Sequence, residues 1–195
     1  MSSVAASVSA AAQPSDTRAR ILDAALELFS EHGFDGTTLQ EIADRLGFTK
    51  AALYYHFRSK DDLLQALIAP AVTGLDTLLG AYEGEPDTPG RRRRFVVDYV
   101  DLLLEQRRLI SYMASDIAIV AHPMIATGAR ERQARIRALL AGEGLEFSQE
   151  VRVAVAFKAM AGVVAQYPDA DVAELRRALI DLARDLLRPG RRHAS

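Results

Sequence analysis

The stretch TLQEIADRLGFTKAALYYHF, residues 38 to 57, decides how the N-terminal part of this chain folds. Thr38 followed by Glu41 has the spacing of a capping box, in which each residue's side chain satisfies a backbone amide at the start of a helix. Gly47 suits the left-handed residue that ends a helix, and Thr49 is a preferred N-cap for the next one. The pattern therefore predicts two short helices joined by a tight turn, a helix-turn-helix.

The second of these helices has two unlike faces. At about 100° per residue, four residues fall within an arc of about 140° and four others occupy the opposite side. The first set is Lys50, Ala51, Tyr54 and Tyr55, and the second is Ala52, Leu53, His56 and Phe57. We expect the second set to pack inward. The first set offers a cation and two phenols, which suit contact with phosphates and base edges in the major groove of DNA.

The flanking sequence extends this unit by one helix on each side. Apolar residues recur at helical spacing between Ile21 and Phe29, which predicts a first helix that Ser15 caps and Gly33 ends. Ser59 begins a long fourth helix. Pro70 lies inside that helix, where it removes a backbone donor, so we expect a bend that is either ordinary curvature or a hinge.

The remainder of the chain also reads as helical, with no alternating pattern typical of strands. Helices are predicted at about 91 to 107, 109 to 121, 124 to 141, 149 to 166 and 171 to 187. Pro123 suits a first turn, and Ser148 and Asp171 are expected caps.

The predicted fold class is all-α, with about nine helices. An N-terminal three-helix helix-turn-helix domain, residues 15 to 68, is joined by the long fourth helix to a C-terminal helical domain, residues 69 to 188. Residues 1 to 14 are expected to form a disordered arm and residues 189 to 195 a tail.

Composition narrows the class of protein. The chain has 195 residues, 49% of them hydrophobic, and no cysteine, so disulfides and thiolate metal sites are excluded and a reducing cytoplasm is the expected location. Residues 1 to 13 lack the basic start and apolar block of a secretory signal. Polar residues and prolines interrupt the apolar stretches, so no membrane association is expected.

The distribution of charge argues partly against and partly for binding to nucleic acid. The net charge of −2 argues against a protein that binds polyanions over its whole surface. Residues 14 to 68 carry six Lys or Arg against nine Asp or Glu, which also counts against DNA binding. Residues 45 to 60, however, contain Arg45, Lys50, Arg58 and Lys60 and no carboxylate, so positive charge is concentrated at the second helix of the motif.

Residues 15 to 68 resemble the tetracycline-repressor (TetR) family of bacterial transcription regulators. The segments GFDGTTLQEIA, GFTKAALYYHF and SKDDLL occur in the order and at the spacing of that family. The resemblance implies a sequence-specific transcriptional regulator, a repressor released by a small-molecule effector. It further implies a homodimer on a palindromic double-stranded operator. The DNA-contacting residues that it implies are Thr38, Thr49, Lys50, Ala51, Tyr54, Tyr55, His56 and Lys60.

Two C-terminal segments are candidates for the dimer contact. Between Ser148 and Tyr167, apolar residues such as Val151 and Val155 alternate with alanines and Gly162, a mixture that allows another helix to approach closely. The last helix adds five leucines. Two helices from each subunit would form a four-helix interface. The alternative is that these residues are buried within their own chain.

Candidate ligand-binding residues are aromatic or apolar with a few polar groups, as in most ligand cavities. They are Phe95, Tyr99, Tyr112, Met113, Ser115, Asp116, His122, Met124 and Phe157. For each of them, core packing is the alternative. A carboxylate and an imidazole in an apolar stretch need partners, which a ligand, each other or water would supply.

Two other classes of protein remain as rivals. An enzyme is not expected, because the four histidines form no helical metal pair and the chain has no nucleophile elbow or phosphate-binding glycine loop. No cofactor or metal is expected either. The second rival is an all-helical ligand-binding or scaffold protein whose helix-turn-helix no longer reads DNA. The run from Arg91 to Arg94 is interpreted as a solvated surface or a site for an acidic partner.

Overall fold

The computed structural model describes residues 14 to 116, 119, 121 to 141 and 146 to 186. Within these ranges the regular structure is entirely helical, as predicted. The helices are α1 (Pro14–Gly36), α2 (Leu39–Leu46), α3 (Lys50–His56), α4 (Lys60–Glu83), α5 (Pro89–Glu105), α6 (Arg107–Ser115), α7 (Pro123–Ala141), α8 (Phe147–Gln166) and α9 (Val172–Leu186). The predicted arm, apart from Pro14, and the predicted tail lie outside the described residues, as does the Ser15 side chain.

The predicted caps of the helix-turn-helix are confirmed. The Glu41 amide donates to Thr38 Oγ1 at 3.2 Å, and the Thr38 amide donates to Glu41 Oε2 at 2.7 Å. Gly47 ends α2 in the left-handed region, with φ 67°. The hydroxyls of Thr49 and Ser59 each accept from the amide three residues later. Local chemistry therefore sets both ends of the turn.

Gly33 interrupts α1 as the sequence predicted. Its backbone has φ 76° and ψ 164°, a conformation that residues with a Cβ rarely adopt. The break turns the chain so that the ring of Phe34 enters the core. The buried Thr37 hydroxyl lies within hydrogen-bonding distance of the Leu28 carbonyl, at 3.2 Å, and of the Gly33 carbonyl, at 2.9 Å.

Three predicted boundaries were wrong. Helix α6 ends at Ser115 rather than near residue 121, because Asp116 is extended and its carboxylate bonds elsewhere. Helix α5 begins at Pro89, after Thr88. Helix α8 begins at Phe147 and not after a Ser148 cap, since Glu146 and Gln149 form the capping box instead.

The buried residues form two hydrophobic cores. The first joins α1, α2, α3 and the start of α4, and it also takes in Leu109 and Tyr112 of α6. The second joins the end of α4 with α5, α7, α8 and α9. The first core therefore extends beyond the predicted N-terminal unit of residues 15 to 68, because α6 packs beside α1.

Helix α4 contributes to both cores. Leu63, Leu64 and Ile68 are buried in the first, and Leu79 and Tyr82 in the second. By length and composition alone, α4 would be able to cross a membrane, which the sequence analysis did not anticipate. Five of its side chains are buried in the two packed groups of helices, while 22% of its most apolar 18-residue stretch is buried.

Candidate nucleic-acid interface

Helix α3 has the two faces that its sequence predicted, with one exception. Leu53 is 0% exposed and Phe57 is 2% exposed, so they anchor the inner side. Tyr54 and Tyr55 are 42% and 84% exposed. The exception is Ala52, which was assigned to the packed side and is exposed. A helix of seven residues that packs mainly on α2 has room for little more than one buried row.

Four of the residues implied as DNA contacts are exposed on α3. Lys50, Ala51, Tyr54 and Tyr55 all face solvent. The Lys50 ammonium lies 5.8 Å from the centre of the Tyr54 ring, within the range of a cation–π contact. The structure thus brings a cation and two phenol rings onto one exposed surface, which we call the α3 face.

Thr38, Thr49 and His56 lie at the ends of the two short helices. Both threonines are exposed while their hydroxyls serve as caps. His56 is half-buried and its ring meets the Tyr55 ring edge-on, with centroids 5.2 Å apart. The hydrogen bond from the Thr38 hydroxyl lowers the pKa of the Glu41 carboxyl, as does the Thr38 amide, so that carboxylate belongs to the cap.

The four basic residues of the motif differ in how strongly they are already engaged. Arg45 Nη2 lies 2.9 Å from Glu31 Oε2, and this hydrogen bond lowers the pKa of the Glu31 carboxyl. Lys60 Nζ donates to the Phe34 carbonyl at 2.7 Å. The side chains of Lys50 and Arg58 make no hydrogen bond or ion pair with another described residue. Their charges are therefore not paired with a carboxylate of any other described residue.

Sequence reasoning missed the role of Arg18. Its Nη1 donates to the His56 carbonyl at 3.3 Å, and its guanidinium lies 4.2 Å from the centre of the Phe57 ring. Arg18 therefore braces the end of α3 from α1. The contact joins residues 38 positions apart, so no local pattern indicates it.

A hydrogen bond connects the helix-turn-helix region to α6. The Phe34 amide donates to Asp116 Oδ2 at 2.8 Å, and the Tyr112 hydroxyl donates to the same oxygen at 3.3 Å. The His122 ring packs edge-on against Phe34, with centroids 5.7 Å apart. The partners that the sequence left open for Asp116 are thus found within the chain. His122 Nε2 lies 3.7 Å from an oxygen of Asp61.

Replacing Asp116 with alanine should lower the free energy of unfolding by about 1–3 kcal/mol, because the Phe34 amide would lose its acceptor. Asp116→Asn should cost less, since it retains an oxygen. Urea unfolding measures both losses, and hydrogen exchange should be faster at the Phe34 amide. Asp169→Ala, at an exposed position, is the control. Equal stability of the Asp116→Ala and Asp169→Ala variants would contradict the prediction.

The residues proposed as a ligand site do not form one lining. Phe95, Tyr99 and Phe157 pack in the second core, where the Tyr99 and Phe157 rings are 4.5 Å apart. Burial raises the pKa of Tyr99 to about 12. The others lie around the first core: Tyr112, Met113, Met124, Ser115, Asp116 and His122. A cavity of about 370 Å³ lies elsewhere, between α5, α7, α8 and α9.

The predicted dimer segment divides between buried and exposed residues. Phe157, Met160 and Val164 are buried within their own chain, as are Leu175 and Leu179 of α9. The apolar residues exposed on α8 form a separate stripe. It consists of Phe147, Val151 and Val155, and we call it the α8 stripe. Among the described residues, no group of three His, Cys, Asp or Glu side chains is placed to hold a metal ion.

Fold and site together define an all-helical protein that displays a helix-turn-helix. Residues 21 to 67 match the family described as bacterial regulatory proteins, tetR family. The HTH-type transcriptional regulator SrpR of Pseudomonas putida is 48% identical over 59 residues, which cover 30% of this chain and 28% of SrpR. The regulator AcrR of Shigella flexneri is 35% identical over 99 residues, 49% of this chain and 46% of AcrR.

Structural similarity extends further along the chain. The crystal structure of Mycobacterium smegmatis AmtR matches with a TM-score of 0.69 and 27% identity, covering 92% of this chain and 90% of AmtR. Residues 21 to 67 therefore have the sequence of the DNA-binding part of the tetR family of bacterial regulatory proteins. In sequence, the chain spans less than half the length of the SrpR and AcrR regulators that it matches.

Proposed function

We propose that this protein is a cytoplasmic, sequence-specific DNA-binding transcriptional regulator without catalytic activity. It acts as a homodimer on a palindromic operator, and a small-molecule effector releases it so that it works as a repressor. The observation that carries the proposal is the α3 face, where Lys50, Tyr54 and Tyr55 are exposed on a helix anchored by buried Leu53 and Phe57. Such a helix can enter a major groove without disturbing the core beneath it.

The carboxylates of this region do not oppose the proposal, although they outnumber the cations. Glu31 is engaged with Arg45, and Glu41 with the amide and hydroxyl of Thr38. Asp62 accepts from the Arg58 amide at 2.9 Å. None of these acidic residues lies on α3. These three carboxylates therefore join α1 to α2 and stabilise the starts of α2 and α4, while the α3 face carries Lys50 and no carboxylate.

The α8 stripe supports the proposed homodimer. Phe147 is 80% exposed, and Val151 and Val155 are 42% and 49% exposed. Burial of such a stripe against a second copy would remove apolar surface from water. Two recognition helices related by a two-fold axis would read half-sites roughly 34 Å apart, which doubles the contacts available to a seven-residue helix.

Two connections support effector control of the DNA-binding region. Helix α4 has its ends in different cores, and Pro70 lies between the two buried groups. The Phe34 amide and Asp116 form the second connection. An effector that shifts α4 or α6 would change the spacing of the two recognition helices. A coupling of about 1–3 kcal/mol changes operator affinity by about 5- to 150-fold.

Selection of bound fragments from the source genome tests the proposal. We expect enrichment of a small set of palindromic sequences. Their affinity should fall steeply with salt, with a log–log slope near −0.9 for each phosphate neutralised. A protein that enriches no sequence, or whose binding is indifferent to salt, would instead be the ligand-binding or scaffold protein whose helix-turn-helix no longer reads DNA.

A further inference from the structure

The cavity of about 370 Å³ lies at the end of the second core. Four helix ends meet there: the starts of α5 and α8 and the ends of α7 and α9. The helix-turn-helix region lies at the opposite end of α4, where that helix begins. The cavity is distinct from the residues that the sequence suggested for ligand binding. Its volume falls within the range of small-molecule sites.

The inner lining of this cavity is aliphatic. Its buried members are Val96, Leu140, Val153 and Ala183, and its half-buried ones include Val97, Ile180 and Leu186. The described lining contains no aromatic ring. A flexible hydrocarbon chain suits such a wall better than a flat ring does, because branched aliphatic side chains offer no planar surface for stacking.

The outer lining is positively charged. Arg92, Arg93, Arg152 and Arg184 all line the cavity, and the last three are exposed. Arg92 is engaged by Asp87, and Arg184 Nη1 lies 2.7 Å from Asp181. The side chains of Arg93 and Arg152 make no hydrogen bond or ion pair with any described residue. Two exposed guanidinium groups that no described residue engages thus line an otherwise largely aliphatic cavity.

The four arginines from Arg91 to Arg94 make different contacts in the folded chain. Arg91 is buried and donates to the Leu139 carbonyl at 2.8 Å, so it ties α5 to α7 beside the cavity. Arg94 is paired with Glu85. Arg93 remains as the member of the run that lines the cavity and has no partner among the described residues.

We propose that this cavity binds an amphipathic organic anion, with its aliphatic chain against the inner lining and its anionic head between Arg93 and Arg152. The inference rests on the proposed function in that such a ligand would be the effector. The apolar part of the site lies away from the α8 stripe, since Gln149 and Val153 lie roughly 160° around α8 from the centre of that stripe, whereas Arg152 lies roughly 100° from it, at its edge. A ligand and a second copy of the chain can therefore bind together.

Calorimetric titration of the full chain without DNA tests the site. The probes are decanoate, decyl phosphate, decanol and decyltrimethylammonium, each below its micelle concentration. We expect both anions to bind, decanol at least tenfold more weakly and the cation not at all. Tighter binding of decanoate than of decyl phosphate would indicate a carboxylate ligand, and the reverse a phosphate headgroup. Equal binding of decanol and the anions would overturn the inference.

Variants locate the binding. The double variant Arg93→Gln and Arg152→Gln should weaken decanoate binding at least tenfold, while Arg177→Gln, on the exposed side of α9, should leave it unchanged. Ile180→Trp should block the cavity and abolish binding. Equal losses in Arg177→Gln and the double variant, or full binding by Ile180→Trp, would overturn the site. Because these titrations contain no DNA, a failure of the proposed ligand site is distinguishable from a failure to bind an operator.

Discussion

Tyr54→Ala should weaken operator binding by about 30- to 20,000-fold. A side chain that contacts a base edge is worth about 1–3 kcal/mol, and a two-fold dimer loses that contact in both half-sites. Tyr54 is 42% exposed and lies outside both hydrophobic cores, so its truncation should lower the free energy of unfolding by less than the roughly 3–5 kcal/mol that truncation of a core aromatic costs. Fluorescence anisotropy with a selected operator fragment measures the loss of affinity.

Companion variants separate the ring, its hydroxyl and its neighbouring cation. Tyr54→Phe retains the ring and should lose less than Tyr54→Ala. Lys50→Ala should make the plot of log affinity against log salt concentration less steep by about 2 per dimer, because one phosphate contact is lost in each half-site. Because the Lys50 ammonium lies over the Tyr54 ring, the two alanine losses should not be additive. Gln65→Ala, at an exposed position on α4, is the control. Wild-type affinity in Tyr54→Ala would remove the basis for the proposed function.

Val155→Asp should raise the dissociation constant of the dimer at least about 100-fold. Val155 lies in the α8 stripe, and a two-fold interface would bring an unpaired carboxylate into an apolar contact from both subunits. Operator affinity should fall with it, since a monomer reads one half-site. Sedimentation velocity over a range of protein concentrations measures the shift towards monomer.

The matched control is Ala134→Asp, which adds the same charge at an exposed position of α7. It should remain dimeric. The Val155→Asp monomer should keep its helical content, because Val155 is 49% exposed within its own chain. A Val155→Asp protein that stays dimeric would exclude the α8 stripe as the interface, and a monomeric wild-type protein would exclude the homodimer itself.

Sequence patterns predicted much of the α3 face. Leu53 and Phe57 were assigned to the packed side and are buried, while Lys50, Tyr54 and Tyr55 were assigned to the open side and are exposed. The pattern failed at Ala52, because helical spacing describes where a residue points and not whether another helix covers it. The role of the α3 face in binding DNA stays a prediction until DNA binding is measured.

The ligand-binding prediction shows the limit of composition. Phe95, Tyr99 and Phe157 look like cavity residues in sequence, but they pack against one another in the second core. The cavity between α5, α7, α8 and α9 is lined mainly by aliphatic and arginine residues from those four helices. Composition cannot reveal such a site, because a cavity is defined by the way separate helices diverge.

The caps and the turn of the helix-turn-helix were readable from residues alone. Each cap bonds to a partner three or four positions away, so the local sequence sets that partner. This holds for the capping box of Thr38 with Glu41, for Gly47 and for Thr49. Packing decided which charges remained available: Arg45 reaches Glu31 on α1, and Lys60 reaches the carbonyl of Phe34. It also joined Asp116 to the Phe34 amide, 82 positions away. Such contacts form only after the helices have docked, so their geometry depends on the whole fold.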